Sequence, residues 1–243
     1  MFSPCIRRIA LIYSWVQSKI EMDFIYTLCD WIYIPAILSS LIASFLHKIK
    51  KNLLPIQIYV VISLIVNIIL KISDLVPKNS ISKMINYTVL NIYSIFEISL
   101  LYFFIYQILT RRKLKVSLLI LFTLYSVIYI SILFLYQKSF IFSQGPPFAL
   151  ENLLITIACF FVIYEFMNSN AVLNFESNAN FIIICGILFY YSITIPFYFS
   201  YSLLEKISPE FFKIFSILNY VFYALLFFSF TKAFLCQLPE QKY

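Results

Sequence analysis

Long apolar runs, broken by short stretches of charge, proline or asparagine, set the rhythm of this chain. Seven runs stand out, at about 24–46, 55–73, 84–109, 115–136, 147–167, 180–204 and 210–235. Each comes close to the roughly 20 residues that a helix needs to cross a hydrocarbon core of about 30 Å. The breaks are short, and 168–179 ("NSNAVLNFESNA") is among the longest. No Gly/Ser linker, low-complexity tract or clear internal repeat interrupts the pattern. The expected fold is therefore all-α: one bundle of seven transmembrane helices over 23–243, preceded by an extension at 1–22.

That extension is ambiguous. "IALIYSWVQSKI" is too short to span a membrane, and no small-residue cleavage site follows it. It reads as an interfacial helix or as an upstream extension of the reading frame, with Met22 ("MDFIYTLCDWIYIPAIL") as the true start. The second reading is preferred.

Composition agrees with the pattern. The 243 residues are 62% hydrophobic and 12% charged, with a mean hydropathy of +0.91, whereas a soluble domain is about a quarter charged. A soluble core of this size could not hide so much apolar surface. The expected setting is the lipid bilayer, as a multi-pass protein of a bacterial cytoplasmic (inner) membrane. The formal charge of +7 then reflects orientation and headgroup contact, and nucleic acid is not an expected partner. Phe and Tyr number 27 and 19, but Ile, Asn and Lys are abundant too. AT-rich codons give that bias, so the aromatic count carries little functional weight.

Basic clusters in short loops set the expected orientation. "HKIKK" (47–51) and "RRKLK" (111–115) fall on the same side, which is assigned to the cytoplasm, leaving the amino terminus outside and the carboxyl terminus inside. The raw tally is even, nine basic residues to a side. The outer ones are dispersed, and a start at Met22 would remove Arg7, Arg8 and Lys19 from them.

Candidate chemistry lies in the polar groups inside the runs. "NYTVLNIYSIFEISLLYFFIYQIL" (86–109) carries Glu97 near its centre. An ionisable side chain at mid-depth costs at least about 2.5–3.5 kcal/mol, so it normally faces the bundle interior and finds a partner. Tyr93 and Ser94 share its helical face, and with Asn86 they form a polar stripe. Other polar groups gather towards the outer half: Asp30 in the first helix, Asn67 and Lys71 in the second, Glu151 and Asn152 at the start of the fifth; Asn219 lies near mid-depth in the seventh, with Tyr223 one turn on. Lys71 is a candidate counter-ion for Asp30 or Glu97. Helix six contains Gly186 and a mid-helix Pro196, whose ring removes a backbone hydrogen bond. Ser192 or Tyr190 could meet the freed carbonyl.

The candidate ligand-binding set is Glu97, Tyr93, Tyr190, Asn219, Asp30 and Lys71, with Pro196 and Gly186 as candidate hinges. A plainer reading stands beside each. Glu97 could be an acid bonded to a neighbouring helix as structural glue; Asp30 and Glu151 lie near an interface where water reaches; the asparagines serve as interhelical partners; Pro196 is a static kink. Catalytic residues, metal ligands and cofactors are not expected. Five scattered cysteines lack a CxxC pair and His47 is the one histidine; P-loop, GxSxG and HExxH motifs are missing, and two distant glycines cannot build a GxxxG seam.

"FIIICGILFYYSITIPFYFSYSLLEK" (181–206), "ILNYVFYALLFFSFTKAFLC" (217–236) and "IYSIFEISLLYFFIYQIL" (92–109) resemble a group of small bacterial seven-helix membrane proteins with no assigned activity. The shared look is Phe-x-Ile-x-x-Gly-Ile-Leu-x-Tyr-x-Ser, an Asn-centred last helix, and an acid in the place of Glu97. The resemblance implies a signalling role beside sensor histidine kinases and carries over no catalytic residue.

These features lead to an expected receptor-like or signalling accessory protein. A small apolar or weakly polar ligand would enter from the outer side, the Pro196 kink would transmit the change, and a membrane or cytoplasmic partner would provide the output. A small-solute or proton-coupled transporter is the alternative. A lipid-active enzyme ranks last, for want of a nucleophile–base pair.

Overall fold

The computed structural model describes residues 4–46, 50–74, 80–135, 145–168, 178–207 and 209–236. Among them the chain forms α1 (Pro4–Leu46), a short 3-10 turn (Lys51–Leu53), α2 (Leu54–Asp74), α3 (Ser80–Ile108), α4 (Arg112–Leu135), α5 (Pro146–Met167), α6 (Ala179–Ile207) and α7 (Pro209–Leu235), with no strand. Every helix contains a stretch long and apolar enough to cross a membrane. The backbone of α1 runs on unbroken from Pro4, through the stretch set apart in the sequence as an extension, into the span that begins at Phe24.

Local sequence explains the helix ends. Pro146 and Pro147 occupy the first positions of α5 and Pro209 opens α7, places where a missing N–H costs nothing. Pro35 and Pro196 lie inside α1 and α6, and both rings face outward from the bundle. Near Pro196 the Thr194 hydroxyl donates to the carbonyls of Tyr190 (3.0 Å) and Tyr191 (3.1 Å). Ser192, expected to meet the freed carbonyl, donates to the Phe189 carbonyl instead.

Packing arranges six helices in a closed ring, in the order α1, α2, α3, α5, α6, α7 and back to α1; α4 lies outside it, against α3 and α5. The outer surface is apolar, with Phe45, Ile65, Phe103, Val127, Phe160 and Phe228 all exposed. Soluble monomers rarely expose contiguous apolar surface on this scale. Together with seven spans this makes the chain an integral, multi-pass membrane protein. On α4, Thr123, Ser126 and Ser131 each turn their hydroxyl back onto the carbonyl four residues earlier, so polar groups on this outlying helix stay satisfied.

Close approach within the ring comes from small side chains. Ala36, Ser40, Ala43 and Ser44 line the buried face of α1. There Ser40 donates to the Phe227 carbonyl (2.5 Å) and meets the Thr231 hydroxyl (2.9 Å), which also lies 3.0 Å from Ser39. The seam that two glycines cannot make is thus built from alanine and serine at four-residue spacing, as membrane helix pairs allow. Between α6 and α7, Gly186 faces Ser229 so closely that an added methyl group would overlap its side chain.

The two ends of the bundle differ. Towards the end that carries Lys51 and Arg111, the interior is filled by Ile56, Tyr59, Phe104, Phe227, Phe230 and Phe234, all essentially fully buried. Towards the end that carries Asp30 and Lys71, the ring encloses space.

Candidate functional site

Polar side chains project into this space because they recur at helical spacing on one face of each helix. On α3 the positions are Asn86, Leu90, Tyr93 and Glu97; on α1, Tyr26, Asp30 and Tyr33; on α7, Phe212, Ser216, Asn219, Tyr220 and Tyr223. With Asn67 and Lys71 of α2, Glu151 and Asn152 of α5, and Tyr190, Tyr191 and Tyr198 of α6, they line a cavity of about 540 Å³. None of the described side chains of α4 contributes to the lining.

All six sequence candidates, Glu97, Tyr93, Tyr190, Asn219, Asp30 and Lys71, line this one cavity. Glu97 forms part of its deep end. It lies nine residues beyond Thr88, the start of the span on α3, or roughly 14 Å down at about 1.5 Å per residue. Its Oε1 accepts hydrogen bonds from Tyr59 of α2 (2.8 Å) and from Tyr191 of α6. Tyr93 shares the face of Glu97 but bonds elsewhere, to the hydroxyls of Ser63 (2.8 Å) and Tyr223 (3.1 Å). Lys71 pairs with Asp30, and of the two acids proposed for it Asp30 is the one it meets. Its ammonium also lies 5.0 Å from the Trp31 ring centre and 5.9 Å from that of Tyr33.

Glu151 corrects the sequence reading. Placed near a watery interface by its position early in helix five, it is only 2% exposed. Its Oε2 accepts from Ser94 and from Tyr125 of α4 (3.2 Å), whereas its Oε1 has no hydrogen-bond partner among the described residues. The Oδ1 atoms of Asn86 and Asn219 are buried without a partner as well. Asn67, expected between helices, donates to the Ser63 carbonyl of its own helix (2.7 Å) and also meets the Tyr223 hydroxyl of α7. Asn152 bridges helices too, donating to Thr194 of α6 (2.8 Å). Neither Pro196 nor Gly186 lines the cavity; Gly186 marks the tight α6–α7 contact described above. Glu165 accepts from the backbone N–H of Thr110 (2.7 Å) and of Arg111 (3.4 Å), in the turn that leads into α4.

Tyrosines form the cavity's apolar wall. The ring centre of Tyr33 lies 5.7 Å from those of Tyr220 and Tyr223, and Tyr190 lies 5.4 Å from Tyr223. Sequence reading discounted tyrosine as a codon bias and so missed Tyr26, Tyr33 and Tyr220. Their signal was spacing: Tyr26 and Tyr33 flank Asp30 at the intervals that keep all three on one face.

Comparison with family models, with characterised proteins and with solved structures finds no match to this chain.

Proposed function

We propose that the protein is a receptor-like membrane module: a small ligand occupies the cavity and a partner protein carries the output. The supporting observation is a cavity of about 540 Å³, lined by titratable and hydrogen-bonding groups at one end of a ring whose other half is filled by large side chains. This volume lies within the roughly 300–1,000 Å³ usual for small-molecule sites. Arg111, Arg112, Lys113 and Lys115 cluster at the closed end, which supports a cytoplasmic placement of that end in a bacterial inner membrane and an outward cavity. Connections between spans are too short to fold into an output domain, which supports a separate protein as the output; the sequence resemblance favours a sensor kinase. Bound lipid surrounds the apolar exterior.

Thermal unfolding of the full chain in lipid nanodiscs, against a panel of neutral, cationic and anionic aromatic molecules, tests this reading. At least one class is expected to raise the midpoint, and Asn219→Phe, which fills the cavity, is expected to abolish the shift. No shift from any class, or a shift that survives Asn219→Phe, overturns it. A proton-coupled carrier is the second reading, favoured by the mid-depth carboxyl of Glu97. Solute flux in liposomes that stays at background with and without a pH gradient removes it.

A further inference from the structure

Among the described residues, acidic and basic groups around the cavity are unequal in number. Three carboxyl groups, Asp30, Glu97 and Glu151, line it with one basic side chain, Lys71. Lys71 is committed to Asp30. Glu97 and Glu151 therefore face the space with no cation beside them among the described residues. The hydrogen-bonding inventory leans the same way. Among the described residues Glu151 Oε1, Asn86 Oδ1 and Asn219 Oδ1 are buried acceptors with no donor, and their side chains come to one cavity from α5, α3 and α7. A buried acceptor left alone is costly, and a donor that reaches it gains more than it would in water.

We propose that the occupant is an organic cation of the protonated-amine class, its N–H groups against Glu151 and its carbon skeleton among the tyrosines of α1, α6 and α7. This inference rests on the cavity being a ligand site. An ammonium carries several N–H donors and no acceptor, so it matches the unmet oxygens and brings a positive charge to carboxyl groups with no described cation beside them; an anion would do neither. The wall suits the same ligand. Tyrosine faces carry negative potential and attract a cation within about 6 Å of the ring centre, and Tyr33, Tyr190 and Tyr223 crowd one another at 5.4–5.7 Å. A bare metal ion fits less well. Among the described residues no group of three or more His, Cys, Asp or Glu side chains stands together to hold one, and the cavity is far larger than an ion needs.

Calorimetric titration of the full chain in nanodiscs with three near-isosteric probes separates the outcomes: 2-phenylethylammonium, 2-phenylethanol and 3-phenylpropionate. The amine is expected to bind at least about tenfold more tightly than the alcohol, and the carboxylate not at all. Glu151→Gln is expected to erase the preference of amine over alcohol while keeping alcohol binding, which also reports that the variant is folded. Should Glu151→Gln fail to fold, Asn219→Asp provides the converse test, a wider preference for the amine. Equal binding of amine and alcohol, or a preference unchanged in these variants, overturns the cation and leaves a ligand cavity standing. Binding of none of the three by the unaltered protein overturns both readings.

Discussion

A carboxyl group taken out of water is costly unless hydrogen bonds meet it, and Glu97 is met on one oxygen by two phenols from two different helices. Both donors reach the same atom, so removing either leaves the other in place. Tyr191→Phe or Tyr59→Phe alone is expected to cost about 0.5–1.5 kcal/mol of stability, the usual net worth of one hydrogen bond, because the carboxyl oxygen keeps a partner. The double variant is expected to cost more than the sum of the two. Reversible unfolding in mixed micelles measures all three. An additive double variant would mean that the phenols do not share the load. At this scale the sequence was partly legible. Glu97 announced itself as an acid amid apolar neighbours, and its inward aim followed from cost alone. Its partners did not, because contact between α2, α3 and α6 is a tertiary fact that no local spacing encodes. Glu151 misled for a related reason: nearness to a helix start suggests water, but the depth of burial depends on what packs across it, here Ser94 and Tyr125.

The membrane spans were readable to within a few residues, since apolar length is set by membrane thickness, but the backward run of α1 to Pro4 was not. Their seams were harder to see. Glycine was the residue sought, yet the α1–α7 contact uses Ala36, Ser40 and Ser44, a spacing of four that puts small groups on one stripe. Because Ser40 both makes room and donates to the Phe227 carbonyl, its two roles separate by mutation. Ser40→Ala keeps the room and is expected to cost under about 1 kcal/mol, in line with interhelical hydrogen bonds in membranes. Ser40→Leu removes the room and is expected to cost at least about 1–3 kcal/mol by overpacking. The same unfolding measurement checks both. If the alanine variant is the weaker of the two, the seam depends on the hydroxyl and not on size.

For the molecule as a whole, the ring order was beyond the sequence, because outward faces of apolar helices resemble inward ones. What could be read was polarity along the membrane normal. Tyr26, Asp30, Lys71, Asn86, Glu151 and Asn219 fall at corresponding heights of successive up-and-down helices, so one end of the bundle is wet and the other dry. The proposed orientation puts the wet end outside. In a cysteine-free background, Ser73→Cys at the cavity end is expected to react with a membrane-impermeant maleimide on intact cells, and Thr110→Cys only after lysis. The reverse pattern would turn the cavity towards the cytoplasm and call for a cytoplasmic ligand.

The outlying fourth helix acquires a meaning from one hydrogen bond. None of its described side chains lines the enclosed space, yet Tyr125 steadies Glu151 from behind. A handle on the outside of the bundle is thereby fastened to a carboxyl group on the inside. Binding thermodynamics makes such a fastening work in both directions with equal strength. To whatever extent an occupant tightens Tyr125 onto Glu151, a neighbouring protein that grips α4 strengthens or weakens the hold on that occupant by the same factor.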